Sequence, residues 1–320
     1  VNPQGLEYAV TFGVPGVGQR ALLAFTEEKA KSPIGIAHNQ PSRWSRFGTG
    51  YDLVIISHGD FLESMKPLQA LRKAQRLRVA LVDVEDLYDE FNFGVKSPQA
   101  IKDVLSFARA KWWRKPRFIL LVGDGTYDPR DSLRLGNFDF MPTKLVDTEY
   151  NETASDDWFV DFDRDGLPDL AIGRLPVRTP EETVTVVSKI VSYEQSTEMK
   201  QVLLVADIGD EYFDFEGAAR EVEALLPSSH LPAQKIYRGS YGSDALARAD
   251  LLEAINQGPL LVNFIGHGSQ QLWSGGSILT SEDADRLING NRLSFFVNMT
   301  CLNGFFQDVY LESMAEALLK

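Results

Sequence analysis

Two stretches decide the reading: Leu-Leu-Val-Asn-Phe-Ile-Gly-His-Gly-Ser at 260–269 and Leu-Ser-Phe-Phe-Val-Asn-Met-Thr-Cys-Leu-Asn-Gly at 293–304. Each is a short run rich in Val, Ile and Phe that ends in a reactive side chain, His267 or Cys301, with glycine close behind. Apolar runs of this length suit strands buried on both faces, as in parallel sheets. Open parallel sheets gather their chemistry at the carboxyl ends of the strands. A thiol and an imidazole that end neighbouring strands make a cysteine-nucleophile pair.

Outward from these runs the pattern alternates strand and helix. Strands are expected over 52–57, 78–84, 117–122 and 170–172, with helices over 61–76, 97–113 and 180–195. Pro67 should turn or kink the first of those helices, and Pro98 opens the second after a Ser97 cap. A second series follows: strands over 201–206, 233–237, 260–265 and 293–299, helices over 216–226, 243–256 and 309–319. Such βα alternation implies mainly parallel sheets flanked by helices, hence an α/β fold in two adjacent subdomains, 51–198 and 199–320. The join is the polar stretch 196–200. Residues 1–50 differ. Alternating strands over 6–12 and 20–25 flank a turn-rich link at 13–18, and 32–50 reads as loop. This β-rich segment suits the end of a preceding domain.

Composition narrows the function. The 320 residues carry 45 Asp and Glu against 32 Lys and Arg, a net charge of −13, which argues against a nucleic-acid binder. No apolar run reaches the roughly 20 residues of a membrane helix. Cys301 is the sole cysteine, which excludes an internal disulfide and a cysteine-rich zinc site. The chain opens Val-Asn-Pro-Gln-Gly, without Met, as a mature or excised piece would.

A nearby imidazole lowers a thiol's pKa and later protonates a leaving amine. Acyl transfer also needs donors for the tetrahedral oxyanion, and the backbone N–H groups of Gly268 and Cys301 are the candidates. The competing reading is an inert buried cysteine, the commoner state of a lone thiol. Asn-Phe-Ile-Gly-His-Gly-Ser, Trp273, the 295–306 run and Ala-Glu-Ala-Leu at 315–318 together resemble the catalytic core of the gingipain family of cysteine peptidases. The likeness extends to 51–57, to Ile-Leu-Leu-Val-Gly-Asp-Gly-Thr-Tyr-Asp at 119–128 and to 155–177.

The resemblance implies a caspase-like fold, with Cys301 as nucleophile and His267 as general acid/base. It implies an orienting carboxylate just after the first strand of the second subdomain, which makes Asp207 the match; Asp210 and Glu211 lie close enough to compete. It implies a preference for Arg or Lys at the cleaved position, for which Asp214, Glu216 and Trp273 are the pocket candidates. It also implies a secreted or surface-attached bacterial protein with an N-terminal prodomain, and a catalytic domain extending past Lys320. Peptide or protein is the expected substrate partner.

Asp161, Asp163, Asp165 and Gly166 match the start of an EF-hand-type calcium loop, with the Leu167 carbonyl and Asp169 as further ligands. The twelfth position is Ile172, so the usual bidentate glutamate is missing. Family members are calcium-stabilised, which supports a metal without fixing its place. The expected function is a cysteine endopeptidase acting through an acyl-enzyme. The rivals are a sortase-like transpeptidase that passes the acyl group to an amine, and a non-catalytic calcium-stabilised adhesion module.

Overall fold

The computed structural model describes residues 2–4, 7–9, 13–14, 16, 25–32, 41–46, 48–136, 138–196 and 201–320. The chain divides into two units, 1–41 and 42–320. In the first, Asn2–Gln4 (β1) pairs antiparallel with Glu7–Ala9 (β2). The strand expected over 20–25 lies almost wholly outside the described residues, as do part of the 13–18 link and the 197–200 join.

The second unit opens with Leu53–Ser57 (β3), Leu62–Ala74 (α1), Val79–Asp83 (β4), Val84–Asn92 (α2), Pro98–Lys111 (α3) and Phe118–Val122 (β5). A small hairpin follows, Leu145–Asp147 (β6) with Glu152–Ala154 (β7), then Ala171–Leu175 (β8) and Pro180–Gln195 (α4). Strands β4-β3-β5-β8 form one four-stranded sheet with every pairing parallel. Along β3, Leu53 and Ile55 join one apolar cluster with α1 and α4, while Val54 and Ile56 join another with α2 and α3. Both faces are therefore covered, which is why this strand reads as an unbroken apolar run.

The later elements are Val202–Ala206 (β9), Phe215–Leu225 (α5), Gln234–Tyr237 (β10), Asp244–Asn256 (α6) and Leu261–Ile265 (β11). They continue with the hairpin Leu272–Trp273 (β12) and Leu279–Thr280 (β13), the turn Ser281–Ala284 (α7), Phe295–Met299 (β14) and Met314–Leu319 (α8). Strands β10-β9-β11-β14 form a second parallel sheet. Leu203 and Val205 pack on one side with α6, and Val202, Leu204 and Ala206 on the other with α5. Burying each of these Leu and Val side chains is worth roughly 1.5–3 kcal/mol.

Several elements differ from expectation. Helix α1 runs unbroken through Pro67, which is exposed, so the carbonyl it deprives of a partner can face water. Helix α2 was not expected; Asp83 caps it, accepting from the Glu85 N–H at 3.0 Å, and Phe93 ends it in a left-handed turn (φ 53°). The last helix starts at Met314 rather than 309, where Ser313 and Glu316 close a reciprocal capping box.

Candidate active site

Strands β11 and β14 are adjacent and parallel, with Ile265 level with Met299. His267 and Cys301 each lie two residues beyond that last pair, so the register brings both to the same carboxyl edge, one strand apart. Adjacent strands sit about 4.8 Å apart. Both side chains are open to solvent: His267 is 62% exposed and Cys301 is an exposed free thiol. That exposure counts against the reading of Cys301 as an inert core residue.

The two loops are tied together. Gly268 packs directly on Thr300, the residue before the thiol; a Cβ at 268 would overlap the Thr300 Oγ1 and reach within 3.0 Å of the Leu272 carbonyl oxygen. Glycine is required there by close approach. Asn303, only 3% exposed, receives the indole N–H of Trp273 on its Oδ1 at 2.8 Å and donates through Nδ2 to the Ser269 carbonyl at 2.5 Å. Leu302, next to the nucleophile, adopts φ 59°, a left-handed turn that costs a β-carbon residue roughly 1–2 kcal/mol. Among the described residues, neither the Gly268 nor the Cys301 backbone N–H donates to a protein acceptor.

The carboxylate on His267 is Asp210, not Asp207. Asp210 Oδ2 lies 2.7 Å from His267 Nε2. Its Oδ1 accepts the backbone N–H groups of Tyr212 at 2.7 Å and Phe213 at 2.9 Å. The Tyr212 N–H, the His267 contact and the Phe213 N–H together hold the Asp210 pKa below the ordinary carboxylate value. An ionised Asp210 takes the Nε2–H and leaves Nδ1 as the basic nitrogen. The edge of Phe215 meets the ring at 5.1 Å and 77°, steadying its plane.

Asp207 is committed elsewhere. It is 2% exposed, and its Oδ1 accepts from the Ile208 N–H at 2.8 Å and from Arg238 Nη1 at 3.0 Å. Arg238 also grips Asp244 through Nε at 2.6 Å and Nη2 at 3.0 Å, and the Asp244 bond leads the causes that raise its pKa. Burial favours this arrangement, because a carboxylate under the sheet edge needs a fixed cation, whereas Asp210 sits on the loop level with the imidazole.

The expected pocket residues divide. Trp273 is fully buried and stacks on Phe264 at 4.3 Å and 6°, so it is core rather than a pocket wall. Asp214 caps α5, accepting from the Gly217 N–H at 2.8 Å. Asp214 and Glu216 flank Arg220 at 3.6 and 3.7 Å. Asn303 and Thr300 were missed by the sequence reading; the signal available was a polar residue in the apolar Cys301 run.

In the acidic loop, Asp161, Asp163 and Asp165 each bring a carboxylate oxygen within 4.8 Å of the others. These are hard oxygen donors of the kind calcium takes. Asp169 turns away, receiving Arg109 at 3.1 Å and the Phe162 N–H at 3.0 Å.

The sequence model of peptidase family C25 matches residues 48–320. Among curated proteins, gingipain R2 of Porphyromonas gingivalis is 24% identical over 242 residues, covering 71% of this chain and 30% of that protein. Gingipain R1 of Porphyromonas gingivalis is likewise 24% identical over 242 residues, covering 71% of this chain and 22% of that protein. The chain thus spans less than a third of the length of these relatives. The crystal structure of the Arg-specific cysteine proteinase gingipain R superimposes with a TM-score of 0.67 at 21% identity, covering 88% of this chain and 60% of that one. The complex of Porphyromonas gingivalis RgpB pro- and mature domains gives a TM-score of 0.66 at 22% identity, covering 83% of this chain and 59% of that one. These likenesses show the caspase-like α/β fold with mainly parallel sheets. With two parallel sheets, a histidine and a cysteine at one carboxyl edge, and a family match across 48–320, the chain belongs to peptidase family C25.

Proposed function

We propose that this chain carries the thiol centre of a cysteine endopeptidase. The observation that supports it most is the β11–β14 register, which sets His267 beside Cys301, with Asp210 behind the imidazole. Nδ1 of His267 takes the thiol proton, and the Cys301 sulfur attacks the scissile carbonyl. The N–H groups of Gly268 and Cys301 receive the oxyanion. The C–N bond breaks as the imidazolium protonates the departing amine, leaving an acyl-enzyme. Water, deprotonated by the same imidazole, attacks the thioester and frees the acid and the thiol. Asp210 keeps the Nε2 proton in place throughout.

The preferred cleavage is after Arg or Lys. Support comes from the Arg specificity that names the related gingipain R, and from the acidic composition of the loop after β9, where Glu211, Asp214 and Glu216 follow Asp210, the residue bonded to His267. A panel of fluorogenic peptides differing only at the cleaved residue tests both levels. Turnover by the wild type, absent in Cys301→Ser, supports the peptidase; equal rates across the panel sink the basic preference. An added amine nucleophile separates hydrolysis from transfer, since a ligated product would mark a transpeptidase.

Calcium at Asp161, Asp163 and Asp165 is part of this reading, as a structural cross-link that relieves repulsion among three carboxylates. Added calcium should raise the melting temperature of the wild type and not of Asp163→Asn; no shift in the wild type would remove the metal from the account. Secretion or cell-surface placement, and a prodomain partner like that in the complex of the related RgpB, complete it. Among the described residues no helix is long and apolar enough to cross a membrane.

A further inference from the structure

Three side chains outside the site, two of them fully buried and the third half-buried, form an ionic cluster that joins the two sheets. Asp124, fully buried after β5, receives Arg178 Nε at 2.6 Å. Arg178 Nη2 lies 4.0 Å from Oε1 of Glu316, a fully buried residue in the first turn of α8. Glu316 Oε2 accepts the N–H of Ser313 at 2.9 Å and its hydroxyl at 2.7 Å. Its Oε1 has no hydrogen-bond partner among the described residues.

What α8 holds makes this cluster consequential. The first N–H groups of a helix have no partner within it. Here the Met314 N–H donates to the Gln270 carbonyl at 2.7 Å, on the His267 loop, and the Ala315 N–H donates to the Asn303 carbonyl at 2.9 Å, on the Cys301 loop. One short helix thus pins both catalytic loops, and the buried glutamate in its first turn faces the first sheet. On the other side, the Tyr127 N–H meets the Gln307 carbonyl at 3.2 Å, so the loop after β5 also borders the segment after Cys301.

We infer that Glu316 is a positioning residue: seated against Arg178 and Asp124, it fixes α8 and through it the spacing of the His267 and Cys301 loops. This rests on the peptidase reading above. The groups facing Glu316 come from every neighbouring element. They are Asp124 after β5, Arg178 and Glu182 before and within α4, and Lys320 and Glu312 on either side of α8; Lys320 lies 3.9 Å from Glu316 and 3.6 Å from Glu182. Burial, reinforced by the Asp124 charge, pushes the Glu316 carboxyl up to about 7. Its charge therefore changes in the neutral range, and the seat of α8 changes with it.

The test compares the wild type, Glu316→Gln and Glu316→Ala on a peptidyl-arginine aminocoumarin amide between roughly pH 5.5 and 8.5, with rates per titrated thiol. Misplaced catalytic groups lower kcat more than they raise KM, so the Ala variant should lose about tenfold in kcat with KM within about twofold. The Gln variant, which still accepts from Ser313, should recover most of that loss and lack the step in kcat expected of the wild type near pH 7 from Glu316. Wild-type kcat in folded Glu316→Ala overturns the inference. If that variant does not fold, a Gln profile superimposable on the wild type overturns it equally. If the wild type itself does not cut the peptide, the peptidase reading fails, and the rate of Cys301 alkylation by iodoacetamide decides Glu316 separately. A change of about fivefold on Glu316→Ala or loss of the pH step in Glu316→Gln supports positioning, and identical rates and profiles refute it.

Discussion

Replacing Asp210 by Asn separates the observed orienting carboxylate from the one the resemblance implies. Asn keeps the shape and keeps an oxygen for the Tyr212 and Phe213 N–H groups, which now bond Oδ1 at 2.7 and 2.9 Å. Its amide nitrogen then faces His267 Nε2, where a 2.7 Å contact to a carboxylate oxygen stood. Two donors cannot share that contact, so the imidazole moves its proton to Nδ1 and loses the nitrogen that should take the thiol proton. In buried triads the same exchange costs about 10⁴ in kcat. Here the histidine is 62% and the aspartate 33% exposed, so water can compete for Nε2 and soften the effect. A loss of about tenfold to a hundredfold in kcat, with KM little changed, is the expectation. The assay is steady-state hydrolysis of a fluorogenic peptide, normalised to the thiol titrated with iodoacetamide. Asp207→Asn is the control. It loosens the Arg238 clamp and should lower the melting temperature more than the rate. Full activity in Asp210→Asn together with collapse of the chemical step in folded Asp207→Asn would refute the assignment.

Gly268→Ala should fold yet lose about a hundredfold in rate, because its Cβ meets Thr300 Oγ1 and displaces the oxyanion N–H. Adding Thr300→Ala to that variant should restore part of the rate, and a double variant no better than Gly268→Ala would exclude this clash as the cause. Asn303→Ala leaves the Trp273 indole N–H and the Ser269 carbonyl unpaired, a destabilisation of about 2–4 kcal/mol measurable by thermal or denaturant unfolding. Stability should also depend on pH through Glu316. Its carboxyl is raised from 4.5 to about 7 in the fold, so its contribution is complete at low pH and is lost as pH rises through 7. The loss is on the order of 3 kcal/mol. Glu316→Gln should flatten that fall between roughly pH 4.5 and 7, and an unchanged pH profile of the melting temperature would contradict it.

The fold was legible because the inner strands of both sheets are covered on both faces. That burial makes β3, β5, β9 and β11 read as apolar runs, and parallel pairing places their chemistry at one edge. His267 and Gly268 were legible for the same reason, and Cys301 because it too ends an apolar run, although that run, β14, is an edge strand whose Phe295 and Met299 are exposed. Asp210 was visible only as a competitor of Asp207. The choice depends on which carboxylate already has a cation, and Arg238 lies in a different βα unit. Trp273 was misplaced because an aromatic beside a catalytic loop looks alike in sequence whether it faces substrate or stacks beneath on Phe264. Just past the end of α3, Trp112 is buried and Trp113 is 59% exposed, a difference that depends on where that helix stops. Helix α2 was hidden by its acidity, although Val84, Leu87 and Tyr88 keep helical spacing and are buried. The Asp124–Arg178–Glu316 cluster was beyond sequence reading, because its members come from three separate blocks and meet only when the two sheets pack.

The most direct test of the thiol centre is covalent capture. A peptidyl-arginine chloromethyl ketone should alkylate the protein once, at Cys301 by tryptic mass spectrometry, and abolish peptide hydrolysis in proportion to labelling. His267→Ala should slow that labelling sharply. Labelling elsewhere, or hydrolysis that survives complete modification of Cys301, would contradict the account.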